Sequence, residues 1–392
     1  NLTITNGTLA ASTYEVNVGG NFSNSGTFTT SGTVTFDATD TDNTITSGGA
    51  SFNNLTFNGV GGGWTLQDAL DVNNNLTITN GTLAASTYEV NVGGNFSNSG
   101  TFTTSGTVTF DATDTDNTIT SGGARFYNIS FDGAAGAWTL QDALELNHNL
   151  SIGSGSTLNA NGQDITLYGS NWTNNGTFNS GNNTVTFEGT DDTQINGSTT
   201  FYNLTSTAAG KQITFEAGST QTVDGTLTLS GSSGNLISLR SSSDGAQWNI
   251  NPAGLYSISN VSVKDSYNRS GAYLDPAGST DLGNNDFWFT PPTPPEPPTP
   301  PEPPVDPPVV DDGDDDDISL PDDPSTMISL TGLEFEEGEK LKKRYPKGKY
   351  RTVVIVFEGR VVVAPYDETG IQQDKEVVLN AGDQTTQAGE VK

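Results

Sequence analysis

Residues 1–74 return almost unchanged as residues 75–148: 63 of 74 positions agree, and Asn1–Ala50 and Asn75–Ala124 are identical. A third, diverged copy begins at Asn149. Its Asn171-Trp172-Thr173 stands for Asn21-Phe22-Ser23, its Thr184-Val185-Thr186-Phe187 for Thr33-Val34-Thr35-Phe36, and its Phe201-Tyr202-Asn203-Leu204 for Phe52-Asn53-Asn54-Leu55. Self-similarity at a fixed period restricts the chain to arrays whose units bury their apolar faces against one another.

The local period is two. Leu2 and Ile4, Val16 and Val18, Val34 and Phe36, Leu55 and Phe57, and Leu70 and Val72 are each separated by one polar residue. Asn-Gly, Ser-Gly and Gly-Gly pairs punctuate these runs, the pattern of short half-buried strands joined by tight corners. A string of sandwiches would place proline-rich breaks between units, yet residues 1–250 contain no proline. A propeller needs four or more similar blades to close, and three copies are present. The expected fold is therefore all-β: a β-solenoid rod with three or four coils per copy, on the order of 60 Å long at ~4.8 Å per coil.

The copies occupy 1–74, 75–148 and 149–224, and the pattern decays over 225–290 into terminal coils ending in Gly283-Asn284-Asn285-Asp286-Phe287-Trp288-Phe289. Trp288 and its phenylalanine neighbours are expected to cover the open end of the core. This closing pattern resembles the terminal coils of secreted right-handed parallel β-helix repeat proteins of bacterial cell surfaces. The resemblance implies a right-handed coil and an extracellular or cell-surface location.

Charge separates the remainder. Residues 1–290 carry 24 acids and 5 bases, 291–325 carry 11 acids and no base, and the last 67 residues carry 11 acids and 10 bases. An acidic array argues against nucleic acid, which selects basic stripes. Without cysteine there is neither a disulfide framework nor a thiolate metal site, and no apolar run is long enough to span a membrane. Asn1 falls inside a repeat phase, so the N-terminus is expected to be processed or cut from a longer array. Residues 291–310 hold 12 of the 18 prolines and read as a polyproline-II spacer. Residues 311–325 read as a solvated acidic stretch, and residues 326–392 as a small β domain. There Thr352–Val363 gives two strands meeting near Gly359, followed by Glu376-Val377-Val378-Leu379 and the turn Asn380-Ala381-Gly382-Asp383. This stretch, about residues 351–387, resembles the C-terminal part of the FecR family. The resemblance implies a β module only, because that family's helical and membrane segments have no counterpart here.

Chemistry is sparse. The single histidine, His148, takes the place of Asn74 and reads as a structural corner residue. No catalytic, cofactor-binding or metal site is expected, and no cofactor. Paired carboxylates were sought among Asp37, Asp40 and Asp42, their copies Asp111, Asp114 and Asp116, and Asp191 with Asp192. Repeated aspartates at turns read as Asx devices rather than as a glycosidase pair. Trp64, Trp138, Trp172 and Tyr202 could serve as sugar platforms, although their strand phase places them in the core. The pairs Thr3/Thr5, Thr33/Thr35, Thr77/Thr79 and Thr107/Thr109 could stack into flat hydroxyl rows; β-propensity explains them equally. The one concentrated positive patch is Lys340, Lys342, Lys343, Arg344, Lys347, Lys349 and Arg351. Together these features point to a non-enzymatic structural or adhesive stalk. The partners expected are the chain itself, head to tail, or cell-envelope polymers and glycans.

Overall fold

The computed structural model describes residues 1–169 and 171–291 in full, and beyond them only the backbone strands Gly348–Ile355, Arg360–Val363, Val377–Asn380 and Gln384–Val391. The proline spacer from residue 292 onward and the acidic stretch 311–325 lie outside the described residues. Two compact units divide the chain, Asn1–Glu296 and Pro297–Lys392. In the second unit, Gly348–Ile355 pairs antiparallel with Gln384–Val391, and Arg360–Val363 with Val377–Asn380. Three of these strands overlap the valine runs; the fourth, Gln384–Val391, is polar and lies within the small β domain expected over residues 326–392.

The first unit is a β-solenoid of about 14 coils. Each coil has three straight sides, so the strands stack into three faces. Leu2–Ile4 opens face 1, Thr8–Ser12 face 2 and Val16–Val18 face 3, after which the chain returns to face 1 with Phe22–Asn24. Stacking is parallel and in register: Leu2 lies over Phe22, and Phe22 over Ile45. Alternation sends every second side chain inward, and the rings of the three faces meet on the axis. Phe22 of face 1 stands 5.4 Å from Phe28 and 5.4 Å from Phe52, both of face 2, and 6.2 Å from Phe36 of face 3.

Two long strands, Asn54–Leu66 and Leu76–Ser86, bend around the corner between faces 3 and 1 without losing strand geometry. Leu55 pairs with Val34 and Leu76 on face 3, whereas Trp64 pairs with Asn43 and Leu83 on face 1. Counting each long strand once per face, one 74-residue copy supplies 11 sides, or three coils and two-thirds of a fourth. The three copies therefore begin on different faces. Leu2–Ile4 is on face 1, Leu76 and Ile78 are on face 3 beneath Leu55 and Phe57, and Leu150–Ile152 is on face 2 beneath Asn128–Phe131. The expectation of three or four coils per copy holds, and the fractional value turns each copy by one face.

Corners repeat with their residues. Ser12, Ser86 and Asn161, at the same point in the three copies, all adopt positive φ (53°, 55° and 54°). Asp68 accepts the backbone N–H groups of Ser47 and Gly48, one per carboxylate oxygen, both at 2.7 Å, and Asp142 does the same for Ser121 and Gly122. Inside the corners Asn24 and Asn98 donate to the carbonyls of Ser47 and Ser121 one coil below.

The diverged third copy fills one corner differently. Register places Ile213 where copies 1 and 2 have Trp64 and Trp138, and Lys211 two residues before it where they have Gly62 and Gly136. Lys211 is fully buried. Its ammonium donates to the carbonyls of Glu188 (3.2 Å), Gly189 (3.3 Å) and Asp191 (2.7 Å). In copies 1 and 2 the matching loop carbonyls, of Asp40 and Asp114, are capped instead by Nδ2 of Asn43 (2.8 Å) and Asn117 (3.0 Å); the third copy has Thr193 there.

At the far end Trp288 is fully buried, 6.2 Å from Trp248, with its indole N–H donating to Ser266 Oγ at 2.7 Å. Phe289 packs partly against the core, and Phe287 rests on Tyr267 and Tyr273. The expected cap is present. Trp288→Ala should cost roughly 3–5 kcal/mol, confined to the last coils because each coil leans only on its neighbours. Hydrogen exchange should then accelerate over Val261–Asn268 and stay unchanged over Leu2–Phe36.

Candidate functional site

Most sequence candidates prove to be parts of the scaffold. Trp64, Trp138 and Trp172 are buried in the core and Tyr202 is half-buried, so the three indoles offer no face to a sugar. Asp40 and Asp114 hold Nδ2 of Asn43 and Asn117 at 2.7 and 2.6 Å, which is turn capping. Asp37, Asp42, Asp116, Asp191 and Asp192 are exposed corner residues. Asp111 alone sits among other acids: burial, then the charge of Asp71, then those of Asp132 and Glu89, push its carboxyl above the ordinary value. The threonine pairs do not share a plane, because Thr3 is on face 1, Thr33, Thr35 and Thr77 on face 3, and Thr107 and Thr109 on face 2. A shorter hydroxyl row does form on face 3, where Thr35, Thr56, Thr77 and Ser97 lie in register. Of the basic patch, Lys340, Lys342, Lys343, Arg344 and Lys347 lie outside the described residues, and Lys349 and Arg351 belong to the strand Gly348–Ile355. Among the described residues no helix is long and apolar enough to cross a membrane.

The side chains that do gather at the surface come from the only stretch in which copies 1 and 2 differ. Arg125–Phe126 closes a side of face 1, and Asn128–Phe131 opens face 2 one residue later, which leaves Tyr127 at the corner. One coil below, Leu144–Leu146 and Leu150–Ile152 bracket the corner residues Asn147, His148 and Asn149. Register sets Arg125 over Glu145, and Arg125 donates from Nε (3.0 Å) and Nη2 (2.8 Å) to Glu145 Oε2. The guanidinium also lies 3.9 Å from the ring centre of Tyr168, a cation–π contact two coils down. Tyr127 and His148 stack with ring centres 5.0 Å apart and planes 2° from parallel. His148 Nδ1 is 3.1 Å from Asn128 Oδ1 and 2.7 Å from Nδ2 of Asn149. Nδ1 thus faces an amide donor and an amide acceptor at once, and its own role follows the ring's tautomer.

Beside this corner runs a groove of about 450 Å³ lined by Thr101, Thr103, Gly122, Gly123, Arg125 and Asn147. A second groove, of about 520 Å³, meets it at Gly100 and Thr101 and continues past Thr65 and Thr82 to Thr41. The lining mixes threonine hydroxyls, asparagine amides and glycine backbone with Trp64, Ala84, Phe102 and Ala124, and Arg125 is its one charged residue. Neither Arg125 nor Tyr127 stands out when each residue is weighed alone. The signal was the clustering of differences: 11 positions, all within 51–74 and 125–148. Compared with family models, curated proteins and solved structures, the chain finds no match in any of the three.

Proposed function

We propose that the solenoid is the stalk of a non-enzymatic, structural or adhesive protein of the cell surface, presented through the proline spacer on a small C-terminal β module of FecR-like type. The observation that carries this reading is the unbroken parallel stacking of about 14 coils across every copy boundary. A solenoid of this kind transmits force and position along its axis through backbone hydrogen bonds, and at ~4.8 Å per coil it spans roughly 65 Å. Polar Thr and Asn on all three faces keep such a rod in solution. Negative-stain microscopy of the whole chain should show rods of about that length, and antibodies to the solenoid should label intact source cells. Compact particles, or label seen only after lysis, would overturn the reading.

A further inference from the structure

The differences between copies 1 and 2 fall in one stretch, and several of them put new polar side chains at one corner. Six of the 11 differences alter outward polar positions: Arg125 for Ser51, Tyr127 for Asn53, Ser130 for Thr56, Asp132 for Asn58, Glu145 for Asp71 and His148 for Asn74. Four of the six, Arg125, Tyr127, Glu145 and His148, meet at the corner of faces 1 and 2, where Tyr168 of the third copy joins them. Copy 1 builds the flanking strands Ser51–Phe52 and Leu70–Val72, the counterparts of Arg125–Phe126 and Leu144–Leu146, with Ser51, Asn53 and Asn74 in these places.

We propose that this corner and the adjoining groove bind a neutral polysaccharide. A pyranose presents an apolar C–H face and a rim of hydroxyls, and the corner supplies a partner for each. Tyr127 and His148 form a flat stacked edge. Arg125 donates, Glu145 accepts, Asn147 does both, and Thr101 and Thr103 line the floor with hydroxyls. Arg125 and Glu145 engage one another through Nε, Nη2 and a single carboxylate oxygen, and their side chains are 43% and 40% exposed. Arg125 Nη1 and Glu145 Oε1 make no hydrogen bond among the described residues, so a donor and an acceptor remain side by side at the rim. The grooves run across successive coils of face 1, which suits an oligosaccharide laid along the rod.

Charge selects the neutral class. Arg125 is the only basic residue before Lys211, Glu145 balances it, and residues 1–290 carry 24 acids against 5 bases. A polyanion would meet a repelling field over most of the surface.

The site goes beyond the stalk reading, since a rod needs no ligand and rod length is measured separately. Its test is calorimetric titration of the full chain with cellohexaose and with mannohexaose. The comparison is the triple variant Arg125→Ser, Tyr127→Asn, His148→Asn, which restores residues that copy 1 already folds at these positions. Saturable binding of either probe is expected, at least tenfold weaker in the variant, with the thermal midpoint of the variant unchanged. Absence of binding to both probes at millimolar concentration, equal binding by the variant, or tighter binding of polygalacturonate than of both neutral probes would each overturn the proposal.

Discussion

Trp138→Ala should destabilise the second copy by roughly 3–5 kcal/mol, the upper range for removing a buried aromatic. The indole is fully buried, 5.3 Å from Phe131 and 6.2 Å from Phe110. The backbone has been shaped around it: a Cβ on Gly136 would lie 2.6 Å from the indole ring and 2.1 Å from the Ala112 carbonyl oxygen. Gly136→Ala should therefore cost about 1–3 kcal/mol by overpacking. Trp138→Phe should be much milder than Trp138→Ala. Among the described residues the buried Trp138 indole N–H has no hydrogen-bond partner, and removing an unsatisfied donor recovers part of about 1–3 kcal/mol. Denaturant unfolding followed at single coils by hydrogen exchange would rank the three variants. A Trp138→Ala chain as stable as the parent in the coils around Phe110 and Phe131 would show that the ring is not the keystone of that corner.

Lys211→Ala should cost a comparable amount, roughly 3–5 kcal/mol, for a different reason. It empties the space of a buried four-carbon stem and strips a donor from three loop carbonyls at once. Lys211→Met keeps the stem and loses only the donors, so it should fall between the parent and the alanine variant. The two variants separate further with pH. Burial holds the Lys211 ammonium below the ordinary lysine value of 10.5, and Asp191 and Asp192 oppose this only in part. The unfolded chain therefore binds that proton more tightly. The lysine's contribution to stability rises with pH from the depressed folded value up to about 10.5. Lys211→Met should lack this rise. Urea midpoints of parent and variant measured from pH 7 to 10 should diverge steadily; parallel curves would show that the ammonium is solvated.

These two corners also mark how far the sequence could be read. Alternation of Val34 with Phe36 and of Leu70 with Val72 announced strands, the absence of proline through copy boundaries announced stacking, and Trp288 announced the cap. Trp64, Trp138 and Trp172 announced themselves as core by phase. Lys211 did not, because a lysine between strands ordinarily marks a wet corner. Its burial is legible only beside two other exchanges, Ile213 for tryptophan and Thr193 for asparagine, which respectively open the space and remove the competing cap. The surface cluster is not visible in any one residue. His148 alone is a corner residue, whereas His148 with Tyr127, Arg125 and Glu145 is a surface that copy 1 lacks. The phase of the copies was hidden more deeply. Within the first two copies corners range from the single residue Tyr127 to six residues between Phe36 and Asn43, and Asn54–Leu66 runs two sides into one strand. Residue spacing therefore does not reveal how many sides a copy contains.

Ala135 shows the same copies drifting within tolerance. It holds φ at 68° where copy 1 has Gly61 at 78°, a conformation that costs an alanine roughly 1 kcal/mol.

Eleven sides per copy on a three-sided rod give the array the arithmetic of a dial. Recombination between such similar stretches can add or delete a whole copy without disturbing a single local contact. Yet each such event also swings everything beyond it by a third of a revolution. Lineages differing by one copy would then present their distal ends in different compass directions, and only a change of three copies would restore the heading. Reach and bearing are thus inherited together, so selection on the length of such a rod is also selection on where its far end points.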